Sequence, residues 1–203
     1  MNGINGAHRV APAPPNRTLL LVNGLPGSGK TTLAKRVSRL CGVPVYSKDA
    51  IKDMLAEAEP VEPDPAWLSE RAHDVLWALA GLDRRGAIVE TWFGPTGSDR
   101  VLAGIHKAGF TELSVEIWCD VSPQLARDRF LVRAQEAQRH PRHLFAGGDP
   151  DWWDHLDAEG PLGIARVVRV NTSARLSDVR LKSILRVTSG SSSESSVRVQ
   201  RPR

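Results

Sequence analysis

Two short stretches of this chain hold residue types suited to chemistry on phosphates. The first is Gly24-Leu25-Pro26-Gly27-Ser28-Gly29-Lys30-Thr31-Thr32. Gly24 to Thr31 fits the P-loop pattern G-x-x-x-x-G-K-[ST]. Its glycines allow backbone angles with φ > 0, which turn successive N–H groups inward as an anion nest. A helix starting directly behind the loop adds donors and partial positive charge. Lys30 is long enough to reach β- and γ-phosphates, and the Thr31 hydroxyl is suited to hold Mg²⁺. Residues Gly24–Thr32 are therefore expected to bind ATP. The second stretch is Ser47-Lys48-Asp49. A carboxylate there can take the proton of a hydroxyl attacking the γ-phosphorus. Asp49 could equally cap a helix starting at Ala50.

Further candidates follow along the chain. Glu90 closes the run Ala87-Ile88-Val89-Glu90, the place for an acid that touches Mg²⁺ directly or through water. Asp120 competes, since it also closes an aliphatic run; Glu90 is preferred because Thr91-Trp92-Phe93-Gly94 behind it reads as a substrate-side loop. Arg129 and Arg133 stand at i and i+4 and share a helix face. Two guanidinium groups there suit a triphosphate clamp or stacking on adenine, although such faces are often merely solvated. Arg139-His140-Pro141-Arg142-His143 adds positive charge without a nearby thiolate, so no zinc site is expected. Cys41 and Cys119 form no CxxC and are expected to be small buried hydrophobes. Trp77 and Trp118 read as core. Trp92, Trp152 and Trp153 fall in loops where ordinary packing is the simpler role.

The elements that must position these groups alternate. Thr18–Asn23 is a continuous aliphatic run and reads as a buried strand. A helix from Gly29 to Leu40 is stopped by Gly42. A short strand over 43–46 precedes a helix over 50–57 whose inward face is Ile51, Met54 and Leu55. After the proline-rich 59–65, residues 67–83 carry apolar positions at helical spacing. Strands follow over 86–91, 113–119 and 165–170. Helices follow from Ser98 or Asp99 as caps, from Pro123, and from Ser177-Asp178, the last with Val179 and Ile184 turned inward. Five strands alternating with helices predict an α/β parallel sheet, with ligands beyond the carboxyl ends of its strands. Residues 1–17 read as a disordered arm, 18–187 as one domain, and the Ser/Arg-rich 188–203 as a disordered tail.

The basic pI of 9.4 does not mark a nucleic-acid binder. Arg9 and Arg17 in the arm, with Arg198, Arg201 and Arg203 against Glu194 in the tail, account for the formal charge of +4. The body is close to neutral, so it lacks the basic stripe expected of a polynucleotide binder. No secretory signal and no run of about 18 apolar residues is visible. No membrane partner is therefore expected, and the expected location is cytoplasmic.

Taken in order, Gly24–Thr32, Ser47-Lys48-Asp49, Ile88-Val89-Glu90-Thr91, Arg129-x-x-x-Arg133, His140-Pro141-Arg142-His143 and Asn171-Thr172-Ser173 make the chain resemble small P-loop kinases. The type is that of nucleoside, shikimate and gluconate kinases. Within it, the chain is most similar to the branch of polynucleotide 5′-kinase domains and chloramphenicol phosphotransferase-like proteins. The resemblance covers about residues 18–187. It implies a P-loop NTPase three-layer sandwich: a five-stranded, mainly parallel sheet, helices on both faces, the P-loop strand central, and an Arg-bearing lid at about 138–160. It implies Lys30, Asp49, Arg129 and Arg133 as catalytic residues, with Arg129 near adenine and Arg133 clamping phosphates. Asn171, Thr172 and Ser173 would border the adenine, and Thr31 and Glu90 would hold Mg²⁺. Ser-Lys-Asp stands where polynucleotide kinases tend to have Ser-Arg-Asp, and Glu90 stands where Asp is usual. The implied activity is transfer of the ATP γ-phosphate to a hydroxyl of a small molecule such as an antibiotic, nucleoside or sugar. The alternatives are a polynucleotide 5′-hydroxyl kinase and a non-catalytic ATP-binding regulatory module.

Overall fold

The computed structural model describes residues 17–61, 63–94, 97–136, 153, 156 and 160–189. The elements run β1 (Thr18–Asn23), α1 (Lys30–Cys41), β2 (Val45–Ser47), α2 (Lys48–Ala58), α3 (Pro65–Leu82), β3 (Gly86–Glu90), α4 (Ser98–Lys107), β4 (Val115–Asp120), α5 (Pro123–Glu136), β5 (Val167–Asn171) and α6 (Asp178–Ser189). Arg142, His143, Trp152 and nearly all of the expected lid lie outside the described residues, as do the tail beyond 189 and the arm before Arg17. Among the described residues no helix is long and apolar enough to cross a membrane.

The five strands pair in the order β2-β3-β1-β4-β5, and every pairing is parallel. β1, which delivers the P-loop, is central. It is buried on both faces, which is why its sequence is a continuous apolar run rather than an alternation. The second strand, β2, lies at the edge of the sheet beside β3 and not beside β1. Thus β3 separates Asp49 from the P-loop strand.

The strands' period of two divides their side chains between two cores. Leu19, Leu21, Ala87 and Val89 pack under α3 and α4 with Leu76, Trp77, Val101 and Ile105. Leu20, Val22, Ile88, Ile117 and Cys119 pack under α1 and α6 with Leu33, Ala34, Val37 and Leu181. A three-layer sandwich results. Trp77 and Trp118 are core residues, as expected.

Some inward positions differ from the sequence reading. Val179 is exposed, and Leu181 with Ile184 and Leu185 faces the sheet instead. Val179 precedes Leu181 by two residues, which is about 200° of helix rotation. Met54 is exposed because the face of α2 turned inward is Ile51, Leu55 and Ala56. Cys41 is exposed as well: Leu40 takes the last place on the apolar stripe of α1. α4 starts at Ser98 behind Gly97, with no side-chain cap from Ser98 or Asp99.

Arg17 is tied to the folded body. Its guanidinium donates to the carbonyls of Gly81, Asp83, Ala108 and Gly109 and lies 4.1 Å above the Phe110 ring.

Candidate active site

The P-loop grows directly from β1. Gly24, Gly27 and Gly29 all have positive φ, at 145°, 85° and 90°. Gly27 has a second reason to lack a side chain. A Cβ there would come within 1.9 Å of the Ala126 carbonyl of α5. The helix carrying the candidate arginines is therefore packed directly on the phosphate loop. α1 begins at Lys30 behind Gly29 and ends with Gly42, whose N–H donates to the Ser38 carbonyl at 2.8 Å.

Lys30 is 7% exposed, and its ammonium donates to the Leu25 carbonyl at 3.0 Å. Burial pushes its pKa below the usual lysine value, while the carboxylates of Glu90 and Asp49 hold it up. Arg133 opposes from the positive side.

Glu90 and Asp120 separate by strand register. Glu90 follows Ile88 by two residues and so faces α1, and it pairs in register with Val22. It is 2% exposed. Its Oε1 accepts from the Thr31 hydroxyl at 3.3 Å, and its Oε2 is buried without a partner. Asp120 follows Cys119 by one residue, on the opposite face of the sheet. It is exposed, with Arg169 at 3.6 Å. Among the described residues no group of three or more His, Cys, Asp and Glu could hold a metal. A hydroxyl and a buried carboxylate with one unused oxygen do suit an ion that keeps several waters and takes few protein ligands, as Mg²⁺ does.

Asp49 does not cap its helix. Ser47 does so, its Oγ accepting from the Ala50 N–H at 3.5 Å. Asp49 is therefore exposed in the first turn of α2 with its carboxylate released from a structural task.

Arg129 and Arg133 divide. Arg129 donates to the carbonyls of Thr172 and Ser173, at 2.9 and 2.6 Å. Asn171 Oδ1 accepts from the Ser173 N–H at 2.9 Å. Gly27, Gly29, Arg129, Arg133, Thr172 and Ser173 thus line one cavity of about 820 Å³, which opens from the P-loop. Thr32 lines it as well, whereas Lys30, Thr31, Asp49, Glu90 and Asn171 do not.

The sequence reading missed two residues. Asn23 ends β1, wholly buried, and its Oδ1 accepts from the N–H groups of Gly24 and Phe93 at 2.8 and 3.0 Å. Its Nδ2 donates to Glu116 Oε1 at 3.0 Å. Glu116, also wholly buried, accepts from the Leu162 and Gly163 N–H groups at 2.9 and 3.0 Å. The pair joins the start of the P-loop, the loop after β3 and the chain entering β5. A charged residue inside an aliphatic strand was the available signal. Cys119, beside Gly24, is no nucleophile: burial pushes its thiol up to about 12. Trp153 packs edge-on against Phe130 at 5.7 Å, as ordinary packing predicts.

The chain is similar to several known proteins. Uncharacterized proteins of Mycobacterium tuberculosis and Mycobacterium bovis are 28% identical to it over 164 residues, 70% of this chain. The chain spans 32% of their length. A crystal structure of a Chloroflexus aurantiacus protein assigned as a kinase superposes with a TM-score of 0.68 at 24% identity. It covers 84% of this chain and 97% of the other. Shikimate kinase from Acinetobacter baumannii, solved with shikimate, gives a TM-score of 0.53 at 15% identity, over 87% and 96% of the two chains. The fold is that of the small P-loop kinases. A family model described as an AAA domain matches residues 19–146. With more than half of its length matched, and the P-loop inside the match, the chain belongs to that AAA domain family, AAA_33.

Proposed function

We propose that this protein is an ATP- and Mg²⁺-dependent phosphotransferase that moves the γ-phosphate to a hydroxyl of a small molecule. The observation that carries the reading is the Thr31–Glu90 pair at the mouth of the P-loop, with Glu90 Oε2 buried and unpartnered. A loop that only bound phosphate would not need a desolvated carboxylate aimed at its threonine. Thr31 and Glu90 would hold Mg²⁺, which when bound neutralises charge on the triphosphate. The loop N–H groups and Lys30 bind and orient the phosphates. Arg133 supports them from α5, and Arg129 fixes Thr172 and Ser173 as the border of the base. Asp49 accepts the acceptor's hydroxyl proton as its oxygen attacks the γ-phosphorus, and the bond from that phosphorus to the bridging oxygen breaks.

A screen of hydroxyl compounds for ADP release tests this. Asp49→Asn is expected to lower turnover about 100-fold while ATP affinity stays within a few fold. Lys30→Ala is expected to abolish transfer in a protein that still unfolds cooperatively. An Asp49→Asn enzyme working at the normal rate would show that Asp49 is not the base.

A further inference from the structure

The segment that follows β5 forms one wall of the 820 Å³ cavity, through Thr172 and Ser173. The polar groups of these two residues are already bonded inside the chain. The Thr172 N–H donates to the Asp120 carbonyl at 2.9 Å, and the Thr172 hydroxyl donates to the same oxygen at 3.4 Å. The Ser173 N–H and hydroxyl both donate to Asn171 Oδ1. The two carbonyls receive the two ends of one guanidinium: Arg129 donates from Nη1 to Thr172 and from Nη2 to Ser173. Every donor of the pair is engaged, and each carbonyl holds a charged N–H.

The carboxylates on the cavity wall are engaged as well. Asp128 accepts from Gln124 Nε2 at 2.8 Å, and Asp178 accepts from Arg36, which also donates to the Leu176 carbonyl. Arg39 and Arg175 line the same cavity, exposed, and among the described residues neither has a carboxylate at ion-pair distance. The wall thus offers spare donors and few spare acceptors. Adenine presents an amine, which needs an acceptor; guanine and hypoxanthine present a carbonyl in its place, which needs a donor. A main-chain carbonyl keeps a second lone pair, but a guanidinium already bound to it repels the positive hydrogens of an incoming amine. The hydrogen bonds of Arg129 lie in the guanidinium plane, so they leave its faces for stacking, which accepts any base. The volume also lies high in the range of small-molecule pockets, roughly 300–1,000 Å³, so space does not exclude the extra amine of guanine.

We infer that Arg129 makes the donor site indifferent to the purine: by holding the Thr172 and Ser173 carbonyls it withdraws the acceptors that would select adenine through its amine, so GTP and ITP bind as well as ATP. This rests on the phosphotransferase reading for what the nucleotide does, and it widens the donor class from ATP to purine nucleoside triphosphates. Arg129 is then a positioning residue that sets donor choice through the two carbonyls.

The test is displacement of a fluorescent ATP analogue from the full chain, with Mg²⁺ present, by ATP, GTP and ITP; ITP carries a carbonyl where ATP carries the amine. In the wild type the three Kd values are expected to agree within about three-fold. Arg129→Met releases both carbonyls. Whatever it costs all nucleotides alike, ATP should then bind about five- to ten-fold more tightly than ITP, the worth of one hydrogen bond. Arg129→Lys, a single point donor that cannot hold both carbonyls, should give a ratio in between. The ratio is the decisive readout, because general damage to the site lowers both affinities without changing it. Wild-type preference for ATP by ten-fold or more over GTP and ITP would overturn the indifference, and an unchanged ratio in Arg129→Met would overturn the part given to Arg129. If the three nucleotides bind alike but no hydroxyl compound promotes release of ADP or GDP, the inference stands and the phosphotransferase reading fails. If ATP alone is selected and a hydroxyl compound drives ADP release, the phosphotransferase reading stands and the inference fails.

Discussion

The two oxygens of Glu90 have different surroundings. One receives the Thr31 hydroxyl, and the other is sealed from water with no partner. Leaving a charged oxygen so costs free energy unless a cation completes it. Glu90→Gln keeps the shape and the Thr31 contact but removes the charge. It is therefore expected to raise the Mg²⁺ concentration needed for half-maximal ADP release about 10- to 100-fold. A Mg²⁺ titration checks this, and an unchanged midpoint would take Glu90 out of the metal site. At this scale much was readable in advance. Lys30, Thr31 and Glu90 lie in motifs whose spacing is local. The freedom of Asp49 was not readable, because whether Ser47 or Asp49 caps α2 depends on where the helix starts.

The elements meet more tightly than their sequences reveal. α5 rests on the P-loop so closely that Gly27 has no room for a methyl group. Gly27→Ala is expected to push the loop away from α5 and weaken ATP binding more than about ten-fold, with the cooperative unfolding transition retained; nucleotide titration reads this out. On the other side, Glu116 and Asn23 close the hydrogen bonds of three loops. Glu116→Ala would leave the Leu162 and Gly163 N–H groups unmatched, a loss on the order of 3 kcal/mol measurable by denaturant unfolding. Neither arrangement is legible in the chain. Gly27 reads as one more glycine of its motif, and Glu116 lies roughly 90 residues from Asn23 in sequence.

Across the whole molecule, α3 and α4 pack on one face of the sheet, where His73 is buried, while α1, α5 and the end of β5 border the 820 Å³ cavity beside the P-loop. His73 gives this arrangement a pH signature. Its folded pKa of about 4 lies below its ordinary 6.5. The unfolded chain therefore binds a proton first as pH falls, so stability is full above pH 6.5 and is lost between 6.5 and 4. The loss is on the order of 2 to 3 kcal/mol. Unfolding midpoints measured from pH 8 to 4 should show the decline, and His73→Phe should flatten it.

From sequence alone came the phosphate loop, the alternating elements of a parallel sheet, and the acids and arginines expected around the loop. All of these rest on local spacing and on the periods of helix and strand. Only the tertiary structure put β3 rather than β2 beside the P-loop strand. It also turned Glu90 toward Thr31 and Asp120 to the other face. Strand order, register and the meeting of distant helices are set by packing and hydrogen bonds between residues far apart in the chain, and no local pattern encodes them.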